Sequence, residues 1–200
     1  MTRDRRILFL GDSFVAGYGD PAGLGWVGRV VAAAHDAGRP LTAYNLGVRR
    51  DTSVDVLARW EFEARVRMGA AEASYGVVVG VGTNDMTMQD GRIRVEPGVA
   101  VDSLGRLIQT ARALGLDVFV IGPPPAGELE HDERVCALSA RFAALAREHD
   151  VAFVDTATAL RATPAWVTEV AAGDGSHPAA GGYAALAGLV LRGGLLAWLD

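Results

Sequence analysis

Apolar residues fall into two patterns that alternate along the chain. Short continuous runs, such as Ile7-Leu8-Phe9-Leu10 and Val77-Val78-Val79, are separated by longer stretches in which apolar side chains recur every three or four positions. The first pattern suits strands buried on both faces of a sheet, and the second suits amphipathic helices packed against it. Strands are predicted at about residues 5–10, 41–46, 75–81, 117–121 and 151–155, with helices at 26–37, 52–67, 98–114 and 132–149. A last helix is predicted over 179–198, with ends blurred by glycine pairs at 181–182 and 193–194. Gly38 and Gly115 suit helix stops, Thr52 or Ser53 with Asp55 suits a helix start, and Gly122-Pro123-Pro124-Pro125 suits a stiff loop. The fold expected is three-layer α/β, a five-stranded parallel sheet of flavodoxin-like order 2-1-3-4-5. No internal repeat or linker-like stretch divides the chain, so residues 1–200 are read as one domain.

Composition narrows the partners. Half of the 200 residues are apolar, enough for a substantial core, and the net charge of −5 argues against a broad phosphate-binding surface and hence against nucleic acid. The single Cys136 excludes an internal disulfide and is read as a small core residue. Arg3, Arg5 and Arg6 precede an apolar stretch, but one too short for the ~7–15 residues of an export signal. No apolar run approaches the ~20 residues of a membrane helix. A soluble, cytoplasmic protein is expected.

The residues able to do chemistry cluster in four short pieces: Gly11-Asp12-Ser13, Asn45-Leu46-Gly47, Gly82-Thr83-Asn84-Asp85 and Asp174-Gly175-Ser176-His177-Pro178. Three of them follow predicted strands at the carboxyl edge of the sheet, where ligands bind in open α/β folds. A serine hydroxyl becomes a nucleophile when a base removes its proton, most often a histidine oriented by a carboxylate. His35, His131 and His149 lie in or beside helices among charged neighbours and are read as solvated. His177 stands in a loop three residues after Asp174, where a tight turn can bring the carboxylate to Nδ1 and leave Nε2 for Ser13. The same five residues fit a turn that caps the last helix. Donors for an oxyanion are available in the N–H groups of Ser13 and Gly47 and the amide of Asn84. Taken singly, Gly47 also fits an ordinary turn and Asn84 an Asx-turn.

As an ordered set, these blocks resemble those of the SGNH, or GDSL-type, hydrolases, and the resemblance runs from the first strand to the last helix. It implies Ser13 as nucleophile, His177 as general base, Asp174 as its orienter, and Ser13 N–H, Gly47 N–H and Asn84 as the oxyanion hole. It further implies a carboxylic ester hydrolase, such as an esterase, lipase or lysophospholipase-like enzyme, acting on a small-molecule ester without metal or other cofactor. Carbohydrate deacetylases and thioesterases of the same family are the alternatives. Phe14 stands where a leucine often follows the serine. In Val48-Arg49-Arg50-Asp51, Arg50 stands near a position where many relatives carry a small residue. Arg50 is read as solvated or paired with Asp51 or Asp20, the other reading being a clamp for a substrate anion. Asp12 and Asp85 are read as structural acids bonding nearby N–H groups. Met86, Met88, Trp26 and Tyr18 are placed near the rim, as core closure or acyl-pocket lining.

Other classes fit less well. Gly23-Leu24-Gly25-Trp26-Val27-Gly28 satisfies G-x-G-x-x-G, the basis for a non-catalytic nucleotide- or ligand-binding domain as the different-class alternative. Residues 11–22 separate that motif from the first strand, whereas a dinucleotide fingerprint joins strand to helix directly. None of the six serines sits in the G-x-S-x-G elbow of an α/β-hydrolase, and no H-E-x-x-H zinc spacing occurs.

Overall fold

Seven strands form in the computed structural model, which describes residues 4–200. Arg3, part of the basic stretch noted above, lies outside them. The strands are β1 (Asp4–Gly11), β2 (Thr42–Gly47), β3 (Ala73–Gly80), β4 (Met88–Gln89), β5 (Arg92–Ile93), β6 (Asp117–Ile121) and β7 (Ala152–Val154). β4 and β5 make a small antiparallel hairpin; the other five form one parallel sheet in the order β2-β1-β3-β6-β7. Counting only that sheet, the order is the expected 2-1-3-4-5.

Helices cover both faces. They are α1 (Ser13–Ala16), α2 (Gly25–Asp36), α3 (Ser53–Arg65), α4 (Pro97–Ala113), α5 (Leu129–Glu148), α6 (Ala157–Arg161), α7 (Pro164–Ala172), α8 (Ala180–Arg192) and α9 (Leu195–Trp198). Successive strand side chains point to opposite faces. Leu8, Leu10, Val77 and Val79 pack with Val56 and Trp60 of α3, Leu104 of α4 and Phe142 of α5. Ile7, Phe9, Val78 and Phe119 pack with Trp26 of α2, Trp166 of α7 and Leu186 of α8. Both faces are thus buried, which is why the strands read as continuous apolar runs rather than alternating ones.

Local signals account for most boundaries. Thr52 and Asp55 form a full capping box at the start of α3. Gly38 and Gly115 follow their helices at φ 72° and 77°. The predicted last helix is broken at Gly193-Gly194 into α8 and α9, with Gly194 at φ 97°. Gly181 and Gly182 do not interrupt α8, because Glu169 of α7 accepts their N–H groups at 3.0 and 2.7 Å. α5 starts at Leu129, ahead of the predicted 132, because the Glu128 carboxylate caps the N–H groups of Glu130 and His131. α6 and α7 were not predicted, being short and rich in Ala and Thr, which blurs helical periodicity. Cys136 is half-buried and packs at the edge of the core.

Register decides where loops emerge. Gly11 at the end of β1 pairs with Gly47 at the end of β2 and with Gly80 at the end of β3. The segments that follow all three strands therefore leave the sheet side by side.

Trp60 is 1% exposed and anchors α3 to the sheet. Trp60→Ala should reduce the free energy of unfolding by ~3–5 kcal/mol in urea titrations. A loss below ~1 kcal/mol would mean that this face is not close-packed.

Candidate active site

Ser13 owes its position to a tight strand-to-helix turn. β1 ends at Gly11, and Asp12 stays extended while its carboxylate accepts the N–H of Phe14 at 2.9 Å. Ser13 is then the first residue of α1, a position whose N–H has no acceptor within the helix. The end of β2 lies close beneath. A β-carbon at Gly47 would fall 2.2 Å from the nitrogen of Ala16, so glycine is required for α1 to approach. The Asn45 amide secures the contact by donating to the Val15 carbonyl at 2.8 Å.

His177 reaches Ser13 from the loop before α8. One oxygen of Asp174 accepts the N–H groups of Ser176 and His177, at 2.9 and 2.8 Å, while its other oxygen meets His177 Nδ1 at 2.8 Å. Asp174 does not cap α8, whose first free N–H groups go to Glu169 instead; its carboxylate stiffens its own turn with one oxygen and meets the imidazole with the other. An acceptor-only carboxylate at Nδ1 assigns the ring proton there, and Nε2 faces Ser13 Oγ at 2.8 Å. Phe14 and Tyr18 hold the ring, with centroids 5.0 and 4.9 Å away, and Phe14 stacks in turn on Trp166. Tyr183 supports this wall by donating its hydroxyl to the Tyr18 carbonyl at 2.6 Å. Partial burial works against ionisation of Asp174. The N–H of His177, the imidazole and the N–H of Ser176 more than offset that, and hold the carboxyl down to about 2.

Asn84 opens a 3₁₀ turn, Asn84–Met86, after β3. Its amide donates to Asp12 at 3.2 Å and to the Asp51 carbonyl at 3.0 Å. The Gly47 N–H donates to Asn45 Oδ1 at 3.1 Å. Two of the three candidate oxyanion donors are thus already held by protein acceptors. Asp12 is fully buried; desolvation pushes its carboxyl up to about 7, with the nearby charges of Asp85 and Asp51 adding to the effect and the Phe14 N–H opposing it. Asp85 is also buried, and desolvation raises it despite hydrogen bonds from the Ser53 N–H and hydroxyl. Each acid braces a neighbouring backbone, the structural role expected of it.

Arg59, not singled out from the sequence, and His131, read as solvated, both belong to this site. Arg59 pairs with Asp51 at 2.7 Å and donates to the carbonyls of Gly11 and Leu46, tying together the ends of β1 and β2. His131 corrects an expectation: it is buried, not solvated, and its Nε2 meets the Thr83 carbonyl at 3.0 Å. The earlier start of α5 turns it inward. Its helical spacing with Val135, Leu138 and Phe142 was the available signal.

A cleft of about 370 Å³ opens over Ser13 and His177, with Asn84, His131, Met88 and Arg50 among its walls. Met88 lines the cleft and Tyr18 is exposed beside His177, whereas Met86 and Trp26 are buried in the core. Neither expected partner of Arg50 is available, since Asp51 pairs with Arg59 and Asp20 with Arg29. Asp20 also accepts the Gly25 N–H at 2.8 Å, so a carboxylate already occupies the start of α2, where the G-x-G-x-x-G pattern would have to bind phosphate. Among the described residues, no group of three or more His, Cys, Asp or Glu side chains is arranged to hold a metal ion. No described helix is long and apolar enough to cross a membrane.

Comparison with known proteins adds to this geometry. A family model described as the GDSL-like Lipase/Acylhydrolase family matches residues 9–185. Among solved structures, the chain is similar to a lipase/acylhydrolase from Enterococcus faecalis, with 25% identity, a TM-score of 0.77 and 94% of each chain covered. It shares its fold with an acetylxylan esterase from Geobacillus stearothermophilus at a TM-score of 0.75 and 20% identity, over 100% of this chain and 99% of that one. No curated protein sequence matches the chain.

Asp12 gives stability a defined pH dependence. Its native value, about 7, lies above the ordinary 3.8, so between these limits the folded protein keeps a proton that the unfolded chain releases. Stability contributed by Asp12 therefore falls as pH rises from about 4 through 7. Asp12→Asn, uncharged throughout, should lose less melting temperature than the wild type between about pH 5 and 8. Equal slopes in the two proteins would count against a buried proton at Asp12.

Proposed function

The chain belongs to the GDSL-like lipase/acylhydrolase family and is a carboxylic ester hydrolase, and on that premise we propose that Ser13, His177 and Asp174 are its catalytic triad. The observation that carries this reading is the unbroken chain of contacts, 2.8 Å from Asp174 to Nδ1 and 2.8 Å from Nε2 to Ser13 Oγ. Ser13 Oγ attacks the ester carbonyl while its proton passes to Nε2, and ionised Asp174 stabilises the imidazolium that results. His177 then returns the proton to the departing alcohol. Water repeats the sequence on the acyl-enzyme and releases the acid.

The N–H groups of Ser13 and Gly47 and the Asn84 amide form the oxyanion hole in this proposal. Ser13 N–H is free of any helical acceptor. Asn84 is fixed beforehand by Asp12 and Asp51, and shares its hydrogens with the oxyanion as charge develops. Gly47 does the same with the hydrogen it gives Asn45. The substrate is a small molecule rather than a nucleic acid. A cleft of about 370 Å³ lies at the lower end of the ~300–1,000 Å³ range of ligand pockets, which favours short acyl groups. The shared fold with an acetylxylan esterase supports acetyl esters within that class. We read the catalytic unit as one domain over residues 1–200, and the lone half-buried Cys136 as suited to a reducing, cytoplasmic setting.

Hydrolysis of p-nitrophenyl acetate, butyrate and octanoate, with chelator present, tests this reading. Ser13→Ala and His177→Ala should each lower kcat by roughly 10⁴-fold, and Asn84→Ala by about 10²–10³-fold through loss of one oxyanion donor. Turnover that persists in Ser13→Ala would sink the mechanism. Rates should fall from acetate or butyrate to octanoate; the reverse order would place a longer acyl group in the cleft.

A further inference from the structure

The cleft over Ser13 carries more positive charge than ester hydrolysis requires. Arg49, Arg50 and Arg134 line it, against the single carboxylate of Glu128. Glu128 already accepts two N–H groups at the start of α5 and stands 3.9 Å from Arg134. Arg49 and Arg50 have no carboxylate within salt-bridge distance among the described residues. Nearby acids are engaged elsewhere: Asp51 with Arg59, Asp20 with Arg29, and Asp55 with Thr52. This concentration of positive charge sits in a chain whose net charge is −5.

Other contacts hold the Arg49 guanidinium and the Arg50 backbone in place. Arg49 lies over the Tyr18 ring at 3.5 Å, and Tyr18 stands edge-on to His177. Stacking engages the guanidinium face and leaves its in-plane N–H donors free. Arg50 has φ 73°, a left-handed conformation that favours glycine and strains an L side chain. Its carbonyl is fixed by Arg94 at 3.0 Å, so the turn is braced. Glycine would hold the same turn without strain; what arginine adds is a side chain at the cleft.

We propose that the esters taken by this site carry an anionic group, a carboxylate or a phosphate, held by Arg50 and Arg49 at the mouth of the cleft. Planar forks of N–H donors match either anion in a bidentate manner. Clustered positive charge at the mouth raises the local concentration of anionic substrate. The inference rests on the reading of Ser13 as the reacting group.

Two matched ester pairs test it: 4-acetoxybenzoate against 4-acetoxybenzamide for the carboxylate, and 1-acetylglycerol 3-phosphate against 1-acetylglycerol for the phosphate. At low salt, the wild type should prefer the anionic member of at least one pair by about tenfold or more in kcat/KM, and the pair that responds identifies the anion. That ratio should collapse toward one in Arg50→Gly, which also relieves the strained φ, and should shrink as salt is raised. A binding arm is independent of turnover. Glycerol 3-phosphate or 4-hydroxybenzoate should raise the melting temperature of Ser13→Ala but not of the Ser13→Ala, Arg50→Gly double variant. No anion preference in either pair, or a preference untouched by Arg50→Gly, overturns the inference while leaving a Ser13-dependent esterase intact. Failure of the wild type to cleave any of the four esters would count against the esterase reading, and the melting-temperature arm would still decide whether Arg50 binds anions.

Discussion

Three strands end flush, and the site is built on that alignment. Gly11, Gly47 and Gly80 pair across β2, β1 and β3, so the segments that leave them are neighbours from their first residue. The backbones are too close for side chains there: a β-carbon on Gly11 would fall 2.1 Å from the Gly80 carbonyl oxygen. Arg59 strengthens the alignment from α3, donating to the carbonyls at the ends of both β1 and β2 while Asp51 balances its charge. A shift of one residue between these strands would separate Ser13 from Asn84 and turn each inward side chain to the opposite face.

Carboxylates at this edge do different work according to their exposure. Asp174 is exposed, surrounded by donors, and held down to about 2, so it is ionised beside an imidazole that gains charge when it takes a proton. Asp12 is buried beneath the Ser13 turn and pushed up to about 7, although the Phe14 N–H and the Asn84 amide donate to it. In the proposed mechanism the first favours charge on the imidazole; the second braces a turn and an amide at the expense of stability at higher pH. Both are aspartates next to a residue of the candidate triad, and their surroundings alone separate them.

Much of the fold could be read along the chain. Apolar runs such as Val77–Val79 located the strands because burial on both faces leaves a signal that needs no partner to be seen. The capping box at Thr52 and the glycine stops at 38 and 115 are equally local. Short α6 and α7 escaped because their periodicity is blurred, and other features depend on a distant group. α8 starts close to where it was expected, held across Gly181 and Gly182 by Glu169 of another helix, whereas His131 is buried against expectation because α5 brings it against Thr83.

The sequence by itself determined the succession of the five sheet strands and the long helices between them, the strand ends on which the Ser13, Gly47 and Asn84 blocks fall, and the Asp174–His177 turn, since each depends on residues close together in the chain. Only the tertiary structure decided that His177 meets Ser13 across 164 positions, and which acid each arginine pairs with. Charges compete for partners in space, and proximity along the chain does not settle that competition. Asp51 adjoins Arg50 in sequence yet pairs with Arg59, which leaves Arg50 facing the cleft.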